Sequence, residues 1–470
     1  METIYNAHLA LKDKKISAKE LCAEHIKVAK ENLNNTFITL TEDYALEKAK
    51  KIDNAGIKSF LDGIPFSLKD LFITKNIRTT AGSKMLYNYV PPYEGTTSAN
   101  LQNSGAVLIG KVGCDEFGMG SSNENTAFGA VNFPMNKDYL PGGSSGASAV
   151  SVLEGSSLFS MGTDTGGSVR LPANFCGLVG YKPTYGRVSR YGQIAYASSL
   201  DQASPFARTP LDIAIIMDAI TKNDEKDSTQ APIGAMNSAE KILKNKETKL
   251  SLAIGIDRSM VDNCREDVRD NLNDSIKLLE KRGVKFKDIS LPHLKYSVAV
   301  YYVIATSEAS SNLARFDGVH FGYSAKGGQD LEDSYALSRS EGFHEEVKRR
   351  ILLGTFCLSS GYSDEYYSHA CKVRKLIYND FQNAFNECDY VYSPVCATTS
   401  FKKDELMTPL QMYMNDLYTI PVNLAGLPSM AIPYGKSSMN SLPTGFQLIG
   451  NSFKDEDLIL DGHKIFEVLK

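Results

Sequence analysis

The sequence predicts an α/β sandwich, and three stretches carry that prediction. Ile64, Phe66 and Leu68 alternate within GIPFSLKD, the period-two pattern of a short buried strand. Residues 101–110 read as a helix end, a turn at Ser104-Gly105 and a buried strand of Ala106, Val107, Leu108 and Ile109. Residues 250–289 repeat the alternation as a strand over 250–254, a helix over 268–281 and a strand over 284–289. Helices and short apolar strands in alternation bury their apolar faces best as layers, helices over a sheet.

The other elements follow in chain order. Ser17 and Glu20 form a capping-box pattern, and Leu21, His25 and Val28 continue it as an amphipathic helix. The strand of GIPFSLKD ends by delivering Lys69 and Asp70. The Gly-, Ser- and Asn-rich run 115–132 is expected to wrap over a site, and 211–220 to form a helix. Residues 221–248 are polar and charged, which predicts a surface excursion within a single 1–470 domain. The basic segment 345–356 is helical, so adjacent Arg349 and Arg350 face different ways. Strands over 429–433 and 445–449 flank a Gly-Lys-Ser-Ser loop as a hairpin, and the little chain left after them predicts a trimmed terminal helix.

Composition narrows the class. Apolar residues make up 42% and charged residues 23%, mixed along the chain as in ordinary globular enzymes. Lysine and arginine number 51 against 55 acids, a net charge of -4, which argues against nucleic-acid binding through the overall field. The eight cysteines include no CxxC pair, so reduced, buried thiols are expected rather than zinc or disulfides. Neither a secretory signal nor a transit peptide is visible, and no apolar run reaches the roughly 18 residues that span a bilayer. Both point to the cytoplasm ahead of the mitochondrial matrix.

The chemistry concentrates in residues 141–183. One loop reads Gly142-Gly143-Ser144-Ser145-Gly146; a second, Asp164-Thr165-Gly166-Gly167-Ser168, runs into Val169-Arg170-Leu171-Pro172. Glycines let successive N–H groups converge on one oxygen, and a serine at the end of such a loop can attack a carbonyl. The usual base is missing: none of the seven histidines lies between His25 and His293. Lysine is the alternative, but moving its pKa from about 10.4 to about 7 needs roughly 4.6 kcal/mol of environment, which only a buried site supplies. This reasoning assigns Lys69 as base, Ser144 as proton relay and Ser168 as nucleophile. A G-x-S-x-G elbow with Ser144 attacking requires a preceding strand, and Lys137 to Pro141 make a poor one. No Gly-Lys-Ser/Thr follows either glycine cluster, which disfavours a phosphate loop. Each loop alone could be a plain turn; two within 141–183 are harder to read so.

The runs GGSSGAS and GTDTGGSVRLPANFCGLVGYKP resemble the amidase signature family. The spacings agree, with 75 residues from Lys69 to Ser144 and 24 from Ser144 to Ser168. The resemblance implies an amidase-signature fold with a mixed central β-sheet between α-helices, and a Ser-cis-Ser-Lys triad of Ser168, Ser144 and Lys69. It also implies an oxyanion hole in the main-chain N–H groups of Thr165, Gly166, Gly167 and Ser168. Ala147, Leu171 and Asn174 depart from the family's usual glycine, glutamine and alanine, beside the triad without replacing it.

YKPTYGRVSRYG, YYVIATSEASSNLARFDGV, SRSEGFHEEVKRRILLGTFCLSSGY and MYMNDLYTIPVNLAGLPS resemble one branch of the family, the glutaminase subunits of tRNA-dependent amidotransferases. That likeness implies glutamine hydrolysis supplying ammonia to convert Glu-tRNA(Gln) to Gln-tRNA(Gln), and possibly Asp-tRNA(Asn) to Asn-tRNA(Asn). It implies no cofactor and no metal in this chain. A partner B subunit binds the mischarged tRNA and uses ATP and Mg²⁺, and a C subunit braces the heterotrimer. Free glutamine is a zwitterion, so its pocket needs a base and an acid; by similarity Arg350 holds the carboxylate, Asp416 the ammonium, and Tyr301 lines the pocket. The alternatives are a stand-alone amidase of the same family and, from another class, a catalytically idle scaffold subunit.

Overall fold

The strand that organises the molecule is β2 (Pro65–Lys69), every residue of which is buried. Side chains alternate across a strand, and β2 uses its two faces differently. Phe66 stacks on Phe159, ring centroids 5.1 Å apart, while Ser67 Oγ contacts Ser151 Oγ at 2.7 Å and Ser160 Oγ at 2.8 Å. Lys69 shares the face of Ser67 and so emerges among hydroxyls rather than aliphatic groups.

The computed structural model describes residues 3–31, 33–245, 249–403 and 409–470. Its strands in chain order are β1 (Phe37–Leu40), β2, β3 (Val107–Val112), β4 (Phe159–Thr163), β5 (Val179–Lys182), β6 (Ala203–Ala207), β7 (Ala253–Ile256), β8 (Lys285–Asp288), β9 (Tyr390–Pro394), β10 (Ser429–Lys436) and β11 (Pro443–Ile449). They form one eleven-stranded sheet in the order β1-β3-β2-β4-β6-β5-β10-β11-β9-β7-β8. It is mixed: β3, β2 and β4 run parallel, as do β9, β7 and β8, and antiparallel pairs join the two groups. Helices flank it.

The expected elements are recovered with local shifts. Ser17 caps the helix Ala18–Glu31 in both directions, Glu20 N–H to Ser17 Oγ at 3.1 Å and Ser17 N–H to Glu20 Oε2 at 2.9 Å. The strand expected over 250–254 forms instead at Ala253–Ile256, where its register with β8 and β9 begins. The polar stretch 221–248, of which 246–248 lie outside the described residues, contains a helix, Ser238–Lys244. Met236, Ala239 and Ile242 recur every three residues and are buried, so this helix docks an apolar stripe on the helix Pro210–Ile220. The polarity of the surrounding sequence hid that stripe. After β11 the helix Asp455–Leu469 packs on the same element.

Candidate active site

Lys69 lies at the C-terminal end of β2, fully buried, and its Nζ donates to three hydroxyls: Ser144 Oγ at 2.8 Å, Ser145 Oγ at 2.8 Å and Thr163 Oγ1 at 2.9 Å. Among the described residues no carboxylate forms a salt bridge with it. Burial therefore prevails over the more distant Asp115, Asp201 and Asp164 and lowers the lysine pKa to about 8. No histidine is hydrogen-bonded to this cluster among the described residues. The peptide joining Gly143 to Ser144 is cis.

The glycines of the first loop are required by close approach. A side chain at Gly143 would overlap Asp115 Oδ2 and come within 2.7 Å of the main-chain nitrogens of Ser122 and Asn123. The Asn-rich run thus does cover the site. Asp115 holds it in place by accepting from the N–H groups of Asn123 at 2.9 Å and Asn125 at 3.0 Å. A Cβ on Gly118 would stand 3.7 Å from Ser144 Oγ, so this loop roofs the lysine cluster.

The second loop carries Ser168, which is partly exposed and whose carbonyl accepts from Ser145 N–H at 3.2 Å; that bond lays the two loops side by side. Asp164 organises its backbone, with Oδ1 taking Gly167 N–H at 3.0 Å and Oδ2 taking Val169 and Arg170 N–H at 3.3 Å. Of the four N–H groups expected to form an oxyanion hole, that of Gly167 is thus engaged by Asp164. Those of Thr165, Gly166 and Ser168 have no acceptor among the described residues. Gly167 has φ of +133°, a conformation only glycine adopts readily, and a Cβ there would overlap Thr419.

Beneath the loop, Arg170 is wholly buried. It donates to Asp164 through Nε at 3.0 Å and Nη2 at 2.9 Å, and to Gln447 Oε1 at 2.8 Å, Thr419 O at 3.1 Å and Asn423 Oδ1 at 2.5 Å. Burial acts to raise the Asp164 pKa, but the guanidinium beside it wins and holds the carboxyl down at about 2. Leu171 sits in an apolar cluster with Leu140 and Phe175, and Ala147 packs with Val112 and Val150.

Of the residues expected to recognise substrate, Tyr301 lies directly on the same loop. Tyr301 presses on it so closely that a Cβ at Gly166 would meet its hydroxyl at 2.7 Å. Asp416 is buried, accepts from Ser121 Oγ at 2.6 Å, and is raised to about pKa 7 by that burial, with the Ser121 bond and Arg350 opposing. Arg350 is buried in the helix Glu345–Leu358 while Arg349 stands half exposed, the opposition expected for neighbours on a helix. Arg350 Nε donates to Glu346 Oε1 at 2.8 Å and Nη1 to Tyr196 Oη at 2.9 Å. The rings of Tyr196, Tyr302 and Tyr413 surround its guanidinium at 5.5 to 5.7 Å.

Sequence reasoning passed over several participants. Ser145 and Thr163 each stand inside a quoted motif, but nothing in the spacing says that they face Lys69. Thr419, Asn423 and Gln447 lie far along the chain and meet Arg170 and the second loop only in the folded structure. Among the described residues no group of three or more His, Cys, Asp or Glu side chains could hold a metal ion, and no helix is long and apolar enough to cross a membrane.

Residues 19–459 match the family model for amidases. The chain is 46% identical over 472 residues to the A subunit of the glutamyl-tRNA(Gln) amidotransferase of Ruthia magnifica subsp. Calyptogena magnifica, covering 98% of this chain and 96% of that relative. It is 47% identical over 471 residues to the protein of the same name from Hahella chejuensis, with 98% and 96% covered. The solved structure of the corresponding A subunit from Thermotoga maritima is similar, with a TM-score of 0.80, 36% identity, and 98% of this chain and 94% of that one covered.

Proposed function

Because this chain belongs to the amidase family, we propose that it is the glutamine-hydrolysing subunit of a tRNA-dependent amidotransferase, supplying ammonia for the conversion of Glu-tRNA(Gln) to Gln-tRNA(Gln). The observation that carries the reading is the buried Lys69 amine 2.8 Å from Ser144 Oγ. In the proposed mechanism neutral Lys69 takes the Ser144 proton as Ser144 takes that of Ser168. Ser168 Oγ bonds to the glutamine carboxamide carbon, and the carbonyl oxygen, now negative, is held by N–H groups of the loop that carries Thr165, Gly166, Gly167 and Ser168. Collapse returns the proton through Ser144 to the leaving nitrogen. Ammonia departs, and a γ-glutamyl ester stays on Ser168 until water, deprotonated by the same relay, releases glutamate.

Arg350 and Asp416 are proposed to grip the α-carboxylate and α-ammonium, with Tyr301 beside them. The single amidase unit would work in the cytoplasm, bound to a B subunit that holds the mischarged tRNA and activates it with ATP and Mg²⁺, and to a C subunit. The deciding experiment is to incubate the chain and its partner subunits with labelled glutamine, quench, and map the label by mass spectrometry. Expected is a γ-glutamyl adduct on the peptide containing Ser168, absent from Ser168→Ala; turnover without Ser168 overturns the assignment.

A further inference from the structure

The segment from Tyr196 to Asp201 joins the pocket to the catalytic loop by two routes. On the side-chain route, Tyr196 Oη accepts from Arg350 Nη1 at 2.9 Å, and Tyr196 lies beside Tyr301, whose ring lies on Gly166. On the main-chain route, Tyr196 N–H donates to Asp201 Oδ2 at 2.9 Å, and Asp201 Oδ1 accepts from Thr165 Oγ1 at 2.7 Å. Tyr196 is 2% exposed, so its hydroxyl has no solvent to turn to. Arginine has five N–H donors. Glu346 and Tyr196 take one each, leaving the remaining edge without an acceptor among the described residues.

A guanidinium recognises a carboxylate through two parallel hydrogen bonds, which require its plane to be fixed. Glu346 fixes one point and the surrounding tyrosine rings restrain tilt out of the plane, but swinging of the guanidinium within its plane about the Glu346 contact is checked by Tyr196 Oη. We propose that Tyr196 is the positioning residue that sets the selectivity of this site for amides bearing an α-carboxylate, by holding Arg350 in register with the oxyanion loop. The proposal rests on the reading of Arg350 as the carboxylate-binding residue.

The test compares glutamine with 4-aminobutanamide, which is glutamine without its carboxylate, in the complex with its partner subunits. KM and kcat are measured for glutamine, and the competitive inhibition constant for 4-aminobutanamide. Tyr196→Phe deletes only the hydroxyl and should raise KM for glutamine about tenfold, keep kcat within about twofold, and leave 4-aminobutanamide binding unchanged. Equal weakening of both ligands would mean a merely structural role and overturns the proposal, as does no change in either. Arg350→Ala separates the premise. If it abolishes the preference for glutamine while Tyr196→Phe does not, only the role of Tyr196 fails; if neither alters the preference, the reading of Arg350 fails first.

Discussion

A lysine is a base only where its ammonium form is disfavoured. Lys69 meets that condition by being wholly buried, with three hydroxyls and no carboxylate in contact with its amine among the described residues. With its pKa lowered to about 8, about a tenth of the side chain is neutral at pH 7, against about one in a few thousand for an ordinary lysine. Asp416 is displaced the other way, to about 7, and must be ionised to hold an ammonium. Both groups gain competence by losing a proton, so kcat/KM for glutamine should rise with pH through about 7 and again through about 8. Asp416→Asn should remove the lower step and raise KM at least tenfold; a pH profile of unchanged shape in that variant would contradict the assignment. Lys69→Ala should lower kcat by more than a thousandfold at every pH, measured as ammonia release.

At the scale of elements, β2 must present Lys69 from a rigid base, and its Phe66–Phe159 stack supplies that rigidity. Phe66→Ala should destabilise the protein by about 3–5 kcal/mol, read as a lower denaturant midpoint, while the surviving folded fraction still reacts at Ser168. The glycine loop is limited by space rather than stability: Gly143→Ala forces Cβ into Asp115 and the backbone of Ser122 and Asn123, none of it a flexible chain end. That variant should lose activity beyond any loss of midpoint. The alternation of GIPFSLKD made β2 legible, as the capping box did the helix it begins. The helix Ser238–Lys244 was not legible, because three apolar residues amid lysines and acids give a stripe too narrow to outweigh local polarity.

Across the whole molecule, Arg170 connects the second loop to Thr419, Asn423 and Gln447, more than 240 residues onward. Removing one partner from a buried ion pair leaves an uncompensated charge, commonly a loss of 3–5 kcal/mol. Arg170→Met should therefore lower the denaturant midpoint sharply and abolish glutaminase activity together, since Asp164 would then lack the charge that lets it hold the loop's N–H groups. An activity loss without a stability loss would instead place Arg170 in the chemistry. The sequence by itself determined the layered class, about half of the strands, a minority of the helices, and the candidate residues Lys69, Ser144 and Ser168, because each is written in a short window where period, turn chemistry and spacing are local. Only the tertiary structure decided which side chains meet: that Ser145 and Thr163 complete the lysine's shell, that Tyr196 abuts Arg350, and that Asp416 shares a site with Ser121. Those contacts cross up to 295 residues of chain, and they depend on strand order and burial, which no local pattern encodes.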